Sequence, residues 1–405
     1  MFNDLPEILP ARLAIKVKSS VERIIRSGHP WVFEKGIVKQ NVAGVSGDLV
    51  IIFDQKKNKF LAVGLFDPAS PIRIKILQAN QPTQIDAVFF EEKIKNAFEK
   101  RQPLFATDTN SYRLIYGEND GFPGLIADVY DEVLVVELYS TIWIPYLKII
   151  FPFLLEISSS KVLVLRLSRN IQKTPDQLHG LSDGQIIFGK LENENVIFRE
   201  HGLKFEANVV HGHKTGYFLD HRHNRLKIRH LSKGKTVLDI FAYAGGFSIN
   251  SLAGGAKSVT SLDISAPAMK LAKRNASLNN LPSKHQLLIG DAFEKMALLN
   301  KEKKKFDLVI VDPPSFAKKE SEVAGALRSY ERLTRMAISL VRPNGILMMA
   351  SCSSRILADD FFQLVIAVLK KSGRKFQEIE RTLHDVDHPI GFAEGAYLKS
   401  VYFKF

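Results

Sequence analysis

The stretch Lys235-Thr-Val-Leu-Asp-Ile-Phe-Ala-Tyr-Ala-Gly-Gly246 decides the fold of this 405-residue chain. An apolar run ending at Asp239-Ile240 reads as a buried strand, and the paired glycines allow a tight turn with close approach of a ligand to the backbone. A helical pattern starts near Gly246. The same strand–helix unit recurs downstream, with strands at 258–263, 285–289, 306–312 and 345–352. Each is followed by a helical pattern, over 266–279, 292–299, 321–341 and 358–371. Apolar strands alternating with helices predict a parallel sheet covered on both faces, a doubly wound α/β fold. Two final strand-like runs, 375–383 and 397–405, are joined by a loop through 385–395 and would add a hairpin at one edge.

Ligands in such sheets sit at the carboxyl ends of the strands. The first strand leaves Asp239 to Gly246, which lacks the G-x-G-x-x-G spacing of a pyrophosphate cradle and leaves a phosphate-free nucleoside open. The second ends in Asp263, a carboxylate suited to ribose hydroxyls. The third leaves Gly290-Asp291-Ala292, where a carboxylate and the next amide can read an adenine edge. Each of these aspartates also fits a plain helix cap. The fourth leaves Asp312-Pro313-Pro314-Ser315-Phe316, a loop stiffened by two fixed φ angles. The fifth leaves Ser351-Cys352-Ser353, whose thiol reads either as a small buried hydrophobe or as a nucleophile. Neighbouring strands would bring Asp312 and Cys352 to adjacent ends.

Upstream, 11–80 reads as a small β-rich, barrel-like domain with a short helix near 20–26. Alternation in Ile72-Arg-Ile-Lys-Ile76 places cations on one strand face and apolar residues on the other. Residues 81–195 read as an α+β middle domain, and 196–405 as the doubly wound domain. Charge follows this division. Residues 11–80 hold 12 Lys/Arg against 5 Asp/Glu, 81–200 hold 12 against 17, and 201–405 hold 32 against 19. Two basic regions flank an acidic one, and a basic excess favours polyanions such as nucleic acid as well as simple solubility. A single cysteine excludes disulfide scaffolds and cysteine-based metal clusters within one chain. The acidic opening Met1-Phe-Asn-Asp-Leu-Pro-Glu7 lacks a secretory pattern. The apolar window 141–155 falls short of the ~20 residues that span a bilayer. The chain therefore reads as soluble and cytoplasmic, with no membrane partner.

At this point the residues resemble a known family over essentially the whole chain. His29-Pro-Trp-Val-Phe, Pro68-Ala-Ser-Pro-Ile-Arg and Tyr116-Gly-Glu-Asn-Asp-Gly-Phe-Pro-Gly are similar to segments of the PUA-domain-containing 5-methylcytosine methyltransferases of 23S ribosomal RNA. So are Lys214-Thr-Gly-Tyr-Phe-Leu-Asp-His-Arg, the Asp239–Gly246 loop, Asp312-Pro-Pro-Ser-Phe, Ser351-Cys-Ser, Asp387-His-Pro and Glu394-Gly-Ala-Tyr-Leu-Lys. His213, His221 and the Tyr217-Phe218 order depart from that pattern. The resemblance implies an S-adenosylmethionine-dependent methyltransferase with a PUA-like RNA-binding domain at 11–80, acting on ribosomal RNA free or in assembly intermediates. It implies Cys352 and Asp312 as catalytic residues. Lys214, Phe218, Phe241, Tyr243, Gly245, Asp263, Asp291, Ala292 and Asp312 would hold the cofactor. No metal is expected, and His213, His221 and His223 are read as facing solvent or RNA. The thiolate would add to cytosine C6 and make C5 enamine-like. A guanine-nitrogen methyltransferase and a non-catalytic ribosome-assembly factor remain alternatives, and a homodimer stays open.

Overall fold

The computed structural model describes residues 2 and 4–405; Met1 and Asn3, part of the acidic opening, lie outside the described residues. The chain forms two compact units. The first comprises Met1–Glu200, Ala207–Leu219 and Val386–Gly395, and the second His201–Glu206, Asp220–Asp385 and Ala396–Phe405.

The first unit holds two sheets. Strands β1 (Arg12–Val17), β2 (Trp31–Val32), β3 (Ile37–Gln40), β4 (Leu49–Phe53), β5 (Phe60–Phe66) and β6 (Ile74–Ala79) lie in the order β2-β6-β5-β4-β1-β3. Helix α1 (Ser19–Arg26) falls between the first two strands, as expected. The alternation predicted for Ile72 to Ile76 holds, with Ile74 and Ile76 on one face and Lys75 on the other, but Ile74, Lys75, Ile76 and Leu77 are all buried, because both faces of β6 are covered. Leu65 and Leu77 on one face join the core of the middle region, while Ile74 and Ile76 join the core of this sheet. Lys75 is compensated by an ion pair with Asp67, which also accepts from Ser140 Oγ at 2.6 Å. Lys75 on the cationic face is thus a paired interior charge.

The middle region contains α2 (Ala87–Glu99), β7 (Ser111–Tyr116), β8 (Leu125–Tyr130), β9 (Val133–Leu138), α3 (Leu147–Ser158), β10 (Val162–Leu167) and β11 (Gln185–Phe188). Its sheet order is β11-β10-β9-β8-β7. Helical residues Thr141–Ser158 reach the length and hydropathy of a membrane span, longer than the sequence window suggested. Trp143, Leu147, Ile150, Phe151 and Leu154 of this segment are buried in the unit's core.

Arg101 and Asp120 form an ion pair with each side chain wholly covered, joined at 2.5 and 3.1 Å. The guanidinium also donates to the carbonyls of Ala97, Arg113 and Asp387, and Asp120 accepts from Tyr116 N. Asp387 Oδ2 in turn accepts from Arg113 N, so the segment Val386–Gly395 is tied into this unit by backbone and carboxylate together.

Strands β12 (Asn195–Glu200) and β13 (Leu203–Asn208) pair in a two-stranded sheet, and in the second unit α4 (Arg222–Leu231) precedes the regular alternation, which starts at Thr236. Then follow β14 (Thr236–Ile240), α5 (Gly246–Ala253), β15 (Ser258–Asp263), α6 (Ala266–Leu278), β16 (His285–Ile289) and α7 (Ala292–Lys301). The series continues with β17 (Phe306–Val311), α8 (Val323–Leu340), β18 (Val341–Ser351), α9 (Ala358–Lys371), β19 (Gln377–Thr382) and β20 (Lys399–Lys404). Their order is β16-β15-β14-β17-β18-β20-β19, parallel from β16 to β18 and antiparallel at the terminal hairpin. This is the predicted doubly wound sheet. Its central strands are buried nearly throughout because helices cover both faces, and Tyr330, Leu333 and Phe361 fill one side.

Replacing Arg101 by Met leaves buried Asp120 with half-exposed Lys100 as its remaining counter-charge and should destabilise the first unit by about 3 kcal/mol. Both tryptophans, Trp31 and Trp143, lie in that unit, so urea unfolding followed by tryptophan fluorescence reads the loss. An unchanged midpoint would mean that the pair contributes little.

Candidate active site

The sheet order places the predicted strand-end residues in one row: Asp291, Asp263, Asp239, Asp312 and Cys352 leave β16, β15, β14, β17 and β18 in turn. Asp239 is fully buried and accepts from Ser248 Oγ at 2.6 Å; Ser248 contacts Ser261 Oγ, which meets His285 Nε2 at 2.6 Å. The other carboxylate oxygen, Oδ1, has no hydrogen-bond partner among the described residues. Burial, reinforced by Asp312 and Asp263, pushes Asp239 up to about 7.

The loop after β14 turns through three positive φ angles, at Phe241, Tyr243 and Gly245. Gly245 is required there: at φ +78 an added Cβ would lie 2.9 Å from Ala272 Cβ. Asp263 holds this loop in place, its Oδ2 accepting from Tyr243 N at 2.9 Å and its Oδ1 from Ser265 N at 2.8 Å. Each oxygen keeps a further lone pair for a ligand hydroxyl. Ile264, the next residue, is 71% exposed and offers an apolar face that the sequence reading passed over. Asp291 caps α7 by accepting from Glu294 N at 3.1 Å, so the helix-cap reading describes its side chain as it stands. Ala292 is the buried first residue of that helix. Lys214 and Phe218 belong to the first unit, where Lys214 Nζ lies 3.1 Å from Tyr139 Oη and Phe218 is exposed.

Asp312 and Cys352 are brought together as the sequence required. Val311 pairs with Met349, so both chains leave the ladder at the same end. The thiol donates to Pro313 O at 3.6 Å, using a carbonyl that the two-proline loop holds rigid. Burial pushes the thiol up to about 12, and the carboxylates of Asp312 and Asp220 push the same way, while Lys399 opposes them.

His221, His223 and Lys399 complete the surroundings, and the histidine expectation needs correction. His213 is exposed, but His221 is buried, with Nε2 3.2 Å from Asp312 Oδ1 and Nδ1 3.0 Å from Asn224 Nδ2. Thr382 and Tyr402 hydroxyls bond Asn224 Oδ1, so the amide nitrogen donates to Nδ1 and the imidazole proton lies on the Nε2 side. Burial lowers the affinity of His221 for a second proton, but Asp312 and Asp220 outweigh it and the net shift is upward. The Asp312 carboxylate, 3.2 Å from Nε2, favours the protonated ring. His223 lies 3.8 Å from Asp385 and is lowered to about 4, first by burial. These side chains are tucked in because α4 packs its first turn inward, a tertiary fact with no periodic signal in sequence. Among the described residues, no group of three or more His, Cys, Asp or Glu is arranged to hold a metal ion.

A doubly wound sheet with this row of strand-end groups defines a class of nucleoside-cofactor enzymes, and comparison sharpens the class. A family of S-adenosylmethionine-dependent methyltransferases matches residues 159–400, and a PUA-like domain matches residues 15–79. A ribosomal RNA large subunit methyltransferase of Deinococcus radiodurans is 42% identical over 397 residues, covering 96% of this chain and 97% of its own. Ribosomal RNA large subunit methyltransferase I of Klebsiella pneumoniae (strain 342) is 34% identical, with coverage of 93% and 94%. A solved structure from Streptococcus mutans, provisionally named a SAM-dependent methyltransferase, matches with TM-score 0.81 at 20% identity over 97% of this chain and all of its own. Another, also provisionally named a methyltransferase and complexed with SAH, matches with TM-score 0.82 at 20% identity, over 98% and 100%. The chain belongs to the S-adenosylmethionine-dependent methyltransferases, in the family that includes these ribosomal RNA large subunit enzymes.

S-adenosylmethionine is accordingly the cofactor, and the residues present fit it. Asp239 offers an unsatisfied buried oxygen, Asp263 spare acceptor capacity for a diol, and Ile264 an apolar face beside it.

Asp239 has its carboxyl raised in the folded state, so its contribution to stability is complete below about pH 4 and is lost as pH rises through about 7. Asp239→Asn should therefore remove a fall in melting temperature that the wild-type protein shows over that window. Parallel pH profiles for the two proteins would refute this assignment.

Proposed function

We propose that this chain methylates C5 of a cytosine in large-subunit ribosomal RNA, with Cys352 as the nucleophile and Asp312 facing the base. The observation that carries this reading is the pairing of the chain's one cysteine with the Asp312-Pro-Pro loop at adjacent ends of β17 and β18. The relatives' names give large-subunit ribosomal RNA as their substrate, which supports the same substrate here. A further support is charge: the basic segments 11–80 and 201–405 suit phosphate contacts, with the acidic middle segment left off the RNA path. We take 11–80 as the RNA-binding domain, 81–195 as a spacer and 196–405 as the catalytic domain, working in the cytoplasm.

Bound at the strand ends, S-adenosylmethionine supplies a methyl group made electrophilic by its sulfonium. The chain's own residues prepare the base to accept it. An unpaired or flipped cytosine enters the pocket. Cys352 Sγ, having lost its proton, forms a bond to C6, and the C5–C6 π electrons move to make C5 enamine-like. Addition at C6 pushes negative charge toward N3, which takes a proton from solvent, and Asp312 faces the N3–N4 edge to accept a hydrogen bond from it. With the methyl group bound at C5 through the enamine pair, loss of the C5 proton returns its electron pair to the ring as the C5–C6 double bond, and the C6–Sγ bond breaks with its own pair leaving on sulfur. With only one cysteine in the chain, a second thiol does not assist that release, so the C5 proton passes to another group or to water.

Cys352→Ala should lower methyl transfer to ribosomal RNA by at least about 10³-fold, the scale of losing an activated nucleophile, while cofactor affinity stays within a few-fold. Transfer of radiolabelled methyl groups, with 5-methylcytosine mapped in RNA from strains with and without the protein, provides the readout. Full activity of the alanine variant, or methylation at a guanine, would overturn the reading.

A further inference from the structure

Lys399 opens β20 directly opposite Ser351, the residue before Cys352. It is 2% exposed. Its Nζ donates to Ser353 O at 2.5 Å, Ile356 O at 2.6 Å and Tyr397 O at 3.0 Å. Three carbonyls for three N–H bonds is the coordination of an ammonium; a neutral amine would aim its lone pair at a carbonyl oxygen. Burial lowers Lys399 to about 8, which still leaves it charged at neutral pH. Two of the carbonyls belong to the turn that follows Cys352. The lysine therefore brackets the cysteine, facing Ser351 across the ladder on one side and bound to Ser353 on the other.

The groups facing the thiol come from four elements. Asp312 follows β17, Asp220 precedes α4, Tyr330 lies on α8, and Lys399 lies on β20. Two carboxylates and a desolvated pocket oppose formation of a thiolate. Lys399 contributes the opposing charge.

We propose that Lys399 is the positioning residue of the nucleophile: its buried ammonium locks the turn after Cys352 and holds a fixed positive charge beside the thiolate. The inference rests on the reading of Cys352 as nucleophile. Deprotonation sends the thiol proton to solvent; Lys399 neither gives nor takes it, because its three N–H bonds are committed to carbonyls. Lysine at this position thus serves geometry and charge together.

The test is the rate of iodoacetamide alkylation across pH, followed by intact mass of the full-length protein, in which Cys352 is the one reactive thiol. Lys399→Gln keeps N–H donors for the turn but removes the charge. It should alkylate about tenfold more slowly at a given pH below about 8, the equivalent of one unit in thiol pKa. Lys399→Arg keeps the charge and should stay within about threefold of wild type. A glutamine variant that binds S-adenosylmethionine normally, melts normally and alkylates like wild type overturns the proposal, since a merely structural lysine would behave that way. Should that variant fail to fold, the wild-type profile decides. Above about pH 8, where the ammonium is lost, the rate must rise less steeply than a single thiol titration, and a simple one-group curve overturns the proposal. Retained C5 methylation by Cys352→Ala would defeat the nucleophile reading instead, whatever the alkylation profiles show.

Discussion

The parallel ladder between Phe306–Val311 and Val341–Ser351 is the constraint on which the site depends. Val309 faces Leu347 and Val311 faces Met349, so the strands run out together and release Asp312 and Cys352 at one end. A slip of one residue would move every side chain of one strand to the opposite packed face and offset Asp312 from Cys352, and close packing on both faces makes that slip costly. The same logic extends along the sheet. β14 and β15 bring Asp239 and Asp263 into the row, and backbone amides of Tyr243 and Ser265 fix the second of these.

What the ladder brings together is electrostatically strained. A half-buried thiol beside two carboxylates keeps its proton, and the Pro313 carbonyl accepts a hydrogen bond from it. The proposed chemistry needs that proton to leave. His221 and Lys399 are the local answers to this excess of negative charge, one set against Asp312 and the other against the turn beside Cys352. A cysteine held as thiol at rest is also a poor target for oxidation, which follows thiolate character. The arrangement thus combines a guarded resting state with a site able to become reactive.

The doubly wound sheet and its row of strand-end groups were legible because continuous apolar strands and helix periods are local patterns, and because a parallel fold dictates where strands end. Lys75, His221 and Lys399 were not legible in the same way. Each is an ionisable group buried by elements far away in sequence: Lys75 by the second covered face of β6, His221 by Asp312, and Lys399 by the turn at 353–356. Periodicity reports which face a residue lies on, but not whether a distant segment will cover that face. The membership of Ala207–Leu219 and Val386–Gly395 in the first unit is of the same kind, set by long-range partners such as Arg101 and Arg113 with Asp387.

The central claim is that the chain's one cysteine forms a covalent bond to the base it methylates. Ribosomal RNA carrying 5-fluorocytosine tests it most directly, because fluorine at C5 cannot leave as a proton does and the adduct cannot resolve. Incubation with S-adenosylmethionine, nuclease digestion and peptide mass spectrometry should find a methylated fluoropyrimidine nucleotide on Cys352. A protein that methylates unsubstituted RNA but yields no adduct with the fluorinated substrate would contradict the account.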